Sequence, residues 1–225
     1  DGFSSYLDTA AMTAAGAWGD GQDAGQSPLG TLATTGGNPG QGMLHNGGET
    51  NRHAIPALLV TATAPIIWEF DFVDPGLSSN RRITAGLRVG TSATLIELGN
   101  HNNNDNPDNP TVNVAGYALR TVSIGGPSAD GGWLCFPGNP AVRAGVHHFK
   151  ATILPTGITF DLDFGADGTV DSTRAITTND TSAIGWNVMR IGGPSDLSST
   201  GGGGVCGGGR GGASSRAVSA GGGVS

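Results

Sequence analysis

The stretch Ile158-Thr159-Phe160-Asp161-Leu162-Asp163-Phe164 alternates apolar and polar residues without a break. Successive side chains of a strand point to opposite faces. Ile158, Phe160, Leu162 and Phe164 therefore share an apolar face, while Thr159, Asp161 and Asp163 share a polar one. Gly165-Ala166-Asp167-Gly168 then turns the chain and Thr169 to Ile176 returns, which is the pattern of a β-hairpin. A helix would need apolar residues three and four apart, and this segment lacks them.

The same period recurs on both sides. In Ile66-Ile67-Trp68-Glu69-Phe70-Asp71-Phe72, Trp68, Phe70 and Phe72 form one face and Ile67, Glu69 and Asp71 the other, and Asp74-Pro75-Gly76 ends the run in a turn. Further strands are expected over Ala57 to Thr63, Arg82 to Val89, Thr94 to Leu98, Thr111 to Ser123, Trp133 to Phe136, Val146 to Leu154 and Trp186 to Ile191. Gly-Gly-Pro-Ser occurs at 125–128 and again at 192–195, each time as a turn after a β-branched strand. Ten to twelve strands with short corners imply two packed antiparallel sheets, an all-β sandwich. One helix is expected, near the start, where Asp8 or Thr9 precedes Ala10, Ala11, Met12, Ala14 and Ala15.

Composition agrees with strands and turns. The 225 residues include 41 Gly and 12 Pro, only 13% are charged, and Lys150 is the single lysine. The net charge of −7 and the scattered arginines leave no basic stripe for a nucleic acid. No apolar run approaches the roughly 20 residues of a membrane span. The chain opens at Asp1, and its composition and cysteine usage suit export; a secreted or cell-surface protein, its signal peptide removed, is the expectation. Residues 1–200 read as the sandwich and 201–225 as a Gly-rich tail with almost no large apolar side chain.

Five segments in this order resemble a family: Asp1-Gly2-Phe3-Ser4-Ser5-Tyr6, Trp68 to Asp74, Val146-His147-His148-Phe149-Lys150-Ala151-Thr152-Ile153, Ile158 to Phe164, and Met189-Arg190-Ile191-Gly192-Gly193-Pro194-Ser195. They are similar to the concanavalin A-like, LamG-type jelly-roll domains of bacterial exported proteins, including those with a PEP-CTERM sorting tail. The resemblance implies a jelly-roll of two antiparallel sheets that binds glycans or proteins, or serves as a structural module outside the cell. The sorting tail itself is absent. Where the family closes with an apolar strand, this chain has its Gly-rich tail, so either Arg216-Ala217-Val218-Ser219 fills in or a strand edge stays open. An open edge templates pairing with another chain. The leading expectation is therefore an extracellular structural module that self-associates into a homo-oligomer, filament or matrix through that edge and the tail. The alternative is a lectin-like module that binds polysaccharide, with Trp133 or Trp18 as a stacking surface.

A glycosidase is the third reading. Glu69-Phe70-Asp71-Phe72-Val73-Asp74 resembles the Glu-x-Asp-x-x-Glu signature of family 16 glycoside hydrolases, which implies Glu69, Asp71 and Asp74 as the catalytic carboxylates. Position 74 departs from the pattern, because the shorter Asp lies in a turn and would miss the spacing of about 5–5.5 Å that retention needs. Calcium is the one cofactor the sequence suggests, at Asn104, Asp105 and Asp108 in the Asn-rich segment 100–109. Asp161, Asp163, Asp167 and Asp171 resemble a dockerin-like loop but lack its bidentate Glu. His147 and His148 are sequence neighbours on a strand, so they face opposite ways and do not pair on a metal. Cys135 and Cys206 are the only cysteines. Either they join across the tail, a bridge contributing roughly 4 kcal/mol in the chain-entropy model, or they stay thiols or link two chains.

Overall fold

In the computed structural model, residues 3–15, 18, 30–38, 40–45, 49–76, 82–102, 115–127, 132–193, 204–207 and 214–216 are described. The aromatic strand and the alternating hairpin are its centre. Strand β4 (Ile66–Pro75) pairs with β9 (Ala144–Leu154), β9 with β10 (Gly157–Phe164) and β10 with β11 (Ser172–Thr177), all antiparallel. Register sets Phe70 opposite Phe149 and Phe149 opposite Leu162. The Phe70 and Phe149 rings stack at 5.3 Å, and Trp68, Phe72, Ile158 and Phe160 are buried beside them. This is the core face that period two predicts, and burying several aromatic rings there supplies the main driving force for the fold.

The same sheet continues past β4. Strands β1 (Thr31–Gly37) and β2 (Gly40–His45) form a hairpin, and β13 (Gly204–Gly207) lies between β2 and β4. Strand β14 (Ser214–Arg216) pairs farther along β4. The order is β1-β2-β13-β4-β9-β10-β11. The second sheet has the order β3-β12-β5-β6-β7-β8, built from β3 (Thr50–Leu58), β12 (Trp186–Gly192), β5 (Arg82–Arg88), β6 (Leu95–Asn102), β7 (Ala115–Val122) and β8 (Leu134–Cys135). Ile83, Ala85, Leu87, Ile96, Leu98, Tyr117, Leu119, Leu134, Met189 and Ile191 face the first sheet in one continuous core. The molecule is an all-β sandwich of two antiparallel sheets.

One expectation is corrected. The strand expected over 57–63 lies over Thr50–Leu58, because residues 61–64 close a tight turn in which Thr61 and Ala64 exchange backbone hydrogen bonds. Residues 204–207, read from sequence as part of the tail, form a strand between β2 and β4. Gly204 to Gly207 pair with His45 to Gly42 on one side, and Val205 to Gly207 with Val73 to Asp71 on the other. A strand needs only main-chain donors and acceptors to join a ladder, so a Gly-rich segment with a single aliphatic side chain, Val205, can do this. The first strand, β1, stands at the end of this sheet's strand order.

The helix is short, as expected. α1 (Thr9–Ala14) is capped by Asp8, whose carboxylate accepts from the Ala11 amide at 2.7 Å. Thr9, the other candidate cap, instead accepts from the Leu32 amide at 2.9 Å and ties the helix to β1. No helix among the described residues is long and apolar enough to cross a membrane.

Candidate functional site

Alternate residues of the six-stranded sheet face away from the core, and they are not the residues a solvated sheet face would carry. Pairing sets them in rows across the strands. One row is Arg52 (β3), Arg190 (β12), Gly86 (β5), Glu97 (β6) and Arg120 (β7). Beside it run Thr50, Gly192, Thr84, Gly99, Ala118 and Cys135, all of them small. Arg88 begins the row on the other side, opposite Val188 and Leu95. Arg88, Glu97, Arg120 and Arg190 are each buried to 4% exposure or less, yet none belongs to the apolar core.

Glu97 is the hub. Arg120 donates to its Oε2 from Nε at 2.9 Å and from Nη2 at 2.6 Å, and Arg190 Nη1 donates to Oε1 at 3.3 Å. Arg190 and Glu97 lie two strands apart, a separation of about 9.6 Å between backbones. Gly86 stands between them and has no side chain, so the guanidinium crosses over β5. A Cβ at position 86 would lie 1.9 Å from the Ile96 carbonyl oxygen and 3.0 Å from Glu97 Cγ. Arg88 Nη2 donates to the Ser92 carbonyl at 3.0 Å.

The charges shape one another. Burial alone would raise the pKa of Glu97, but Arg120 and Arg190 outweigh it and hold the carboxyl below its ordinary range, hence ionised. Burial pulls Arg190 down to about 10, against the attraction of Glu97 and with the repulsion of Arg88, Arg52 and Arg120. Burial likewise lowers Arg88. An ionised, arginine-bound Glu97 is a poor proton donor, so the arrangement suits recognition better than acid catalysis.

Trp133 closes one end. Its ring stacks on His101 with centroids 4.0 Å apart, and the Arg120 guanidinium carbon lies 4.6 Å from its centroid. Trp133, a candidate stacking surface by sequence, is 2% exposed, with His101 and Arg120 packed against its ring. Trp18 is also corrected, being wholly buried between Phe3 and His53.

The acidic string diverges at Asp74, the position where the sequence departs from the glycosidase signature. Glu69 and Asp71 lie on the outer face of β4, where His148 Nδ1 meets Asp71 Oδ1 at 2.7 Å and His148 Nε2 lies 3.7 Å from Glu69. That hydrogen bond raises the His148 pKa, outweighing burial. Asp74 points inward, where it accepts from the Gly76 amide at 2.7 Å, Tyr117 Oη at 3.0 Å and Asn100 Nδ2 at 3.2 Å. It is a turn former that ties the two sheets together. His147 faces the core, edge-on to Tyr117 and Phe164, so the two histidines do point opposite ways.

The dockerin-like set holds its own turn. Asp163 accepts from the Asp167 and Gly168 amides, Asp167 from the Thr169 amide, Asp171 from the Phe164 amide, and Asp161 from the Thr173 hydroxyl. No group of three or more His, Cys, Asp or Glu that could hold a metal occurs among the described residues. Asn104, Asp105 and Asp108, the calcium candidates, lie outside the described residues. Cys135 is buried on β8, and the bridge to Cys206 rests on a side chain outside that description.

Arg88, Glu97, Arg120 and Arg190 were absent from the sequence-based candidates. Their signal was present: each interrupts an apolar strand, as in Leu95-Ile96-Glu97-Leu98 and Met189-Arg190-Ile191.

No family model and no curated protein matches the chain by sequence. Solved structures do resemble it. The alginate lyase from Klebsiella pneumoniae is 10% identical, with 80% of this chain and 81% of that one covered at a TM-score of 0.48. Domain 4 of a GH43 extracellular arabinanase from Geobacillus stearothermophilus, in complex with arabinotriose, is 16% identical, with 80% and 76% covered at 0.43. The exoplasmic/lumenal domain of VIP36, in a Ca2+/Man-bound form, is 10% identical, with 79% and 75% covered at 0.42. At such identities the likeness concerns the fold alone.

Proposed function

We propose that this chain is an exported glycan-binding module, and that the face of the six-stranded sheet turned away from the core is its ligand face. The observation that carries the reading is the row Arg190–Gly86–Glu97–Arg120. A sheet face held only for stability would be apolar or solvated. This one is buried, charged and fixed by hydrogen bonds, which costs stability but presents oriented donors at regular spacing. Guanidinium forks beside a trough of small residues are groups that sugar oxygens engage.

Binding rather than catalysis is the activity proposed, since Glu69, Asp71 and Asp74 do not converge and Glu97 is held ionised. The test is a glycan array followed by calorimetry on the hits, with the protein's oligomeric state recorded by light scattering. Saturable binding that falls in Arg190→Gln, with the melting transition retained, supports the module. An array without any hit from neutral or acidic glycans overturns it.

A further inference from the structure

His45 sits where the first hairpin meets the second sheet. It ends β2, but its side chain bonds across to β3. Its Nε2 is 2.9 Å from Asn51 Oδ1, which also accepts from the Gly30 amide at 2.9 Å, while Asn51 Nδ2 donates to the Trp18 carbonyl at 2.8 Å. That last bond orients the Asn51 amide, so its oxygen faces the ring and Nε2 carries the proton. Nδ1 is then a bare acceptor, buried and without a hydrogen bond among the described residues. The ring also lies directly on two backbones that have no side chain. A Cβ at Gly30 would come within 2.6 Å of His45 Cδ2 and Nε2, and one at Gly192 within 2.9 Å of Cδ2. A neutral imidazole fits this place, and a doubly protonated one puts an uncompensated charge in it.

We propose that His45 makes the hairpin of β1 and β2 an acid-operated flap, which parts from β3 and β12 when the ring takes a second proton while the rest of the sandwich stays folded. The attachments of the hairpin make its opening local. Among the described strands β1 pairs only with β2, and β2 reaches β4 only through the four residues of β13. By contrast β4 pairs with β9 along the whole of Ile66–Pro75. A segment held by so few bonds opens before the rest. The surroundings of the ring set the direction. Burial opposes the second proton most, and Arg190 on β12 repels it, against weaker help from Asn51 and the Met43 main chain. Glu49, just before β3, and Arg52 and His53 on β3 are the other titratable groups nearby, and β1 and β13 bring no charged residue. Once the flap is open the ring is in water and takes the proton freely, so acid draws it open. Opening uncovers Met43 and Trp18, both wholly buried in the closed state.

Hydrogen exchange on the unmodified protein, at about pH 7.5 and about pH 5, tests the flap without depending on any variant. Rates are corrected for the intrinsic pH dependence of amide exchange, and each pH is repeated with a little urea. The ring titrates at about 4 when closed and near its ordinary 6.5 when open. The opening equilibrium of the hairpin should therefore rise roughly thirtyfold between the two conditions. Amides of Thr31–Gly37 and Gly40–His45 should lose protection by that factor. At both pH values they should stay less protected than those of β9 and β10 and respond less to urea, because a flap exposes less surface than unfolding does. Hairpin protection that is the same at both pH values overturns the proposal. So does a hairpin with the protection and urea response of β9 and β10, which would open only with the whole molecule. His45→Gln can still donate to Asn51 but cannot titrate, and its hairpin should keep one protection at both pH values. Asn51→Asp sets a carboxylate beside Nε2, matches the imidazolium in place, and should likewise remove the opening in acid. Either variant losing protection as steeply as the wild type overturns the role of His45.

Discussion

Glu97 and Arg120 stand directly opposite one another on β6 and β7, and the guanidinium grips a single carboxylate oxygen through two hydrogen bonds of 2.9 and 2.6 Å. The other oxygen is left to Arg190 at 3.3 Å. One carboxylate thus compensates arginines from two strands, and neither arginine can be spared without changing the other's surroundings.

Replacing Glu97 by Gln should be among the most damaging single changes to this protein. It leaves Arg88, Arg120 and Arg190 buried near one another without their carboxylate, and breaking a buried pair from one side costs about 3–5 kcal/mol. Urea unfolding should show a correspondingly lower midpoint. The double variant Glu97→Gln/Arg190→Met should lose less than the two single losses combined, because the groups are coupled.

Gly86→Ala tests the crossing over β5. Its Cβ would meet the Ile96 carbonyl oxygen at 1.9 Å, a backbone atom in the adjacent strand that cannot yield without disturbing the β5–β6 ladder. The expected cost is about 1–3 kcal/mol. A variant that melts with the wild type would show that the sheet relaxes around the methyl group.

Acid should weaken the fold through His45. This residue is fully buried, and burial lowers its pKa to about 4 while Asn51 Oδ1 engages its Nε2 at 2.9 Å. The unfolded chain takes up the proton near pH 6.5 and the folded chain only near 4. Stability is therefore complete above about 6.5 and declines between those values, by about 3 kcal/mol in all. His45→Gln should flatten that part of the stability–pH curve. An unchanged slope would rule His45 out as its source.

His148 works in the opposite sense. Its raised pKa, due first to the hydrogen bond with Asp71, means that its contribution is full below the unfolded value and fades as pH rises through the folded one. NMR titration of the His148 ring should give a midpoint above 6.5, and Asp71→Asn should lower it. Because the pair sits on the outer face of the other sheet, the same substitution should leave glycan binding unchanged.

Local order was legible where one short segment decides it. Ile158 to Phe164 and Trp68 to Phe72 show their core face by alternation alone, Asp8 announces the helix by its side-chain chemistry, and adjacency forces His147 and His148 apart. The charged row was not legible as a unit. Arg88, Glu97, Arg120 and Arg190 come from four strands, and their meeting depends on strand order and register, which no local pattern encodes. The strand β13 escaped for another reason: Gly204 to Gly207 joins the sheet through its backbone and shows no apolar alternation.

That inserted strand has a consequence for how the molecule comes to exist. Val205 bridges Leu44 and Val73, so the hairpin of β1 and β2 reaches β4 only through residues made about 160 positions later. During synthesis the early hairpin must wait, unattached to its sheet, until the last stretch has left the ribosome. Contacts of such long sequence separation are slow to close. The final glycines are then the latch of the assembly, and a chain shortened before residue 204 should fold around the later strands while its first hairpin stays open to proteases.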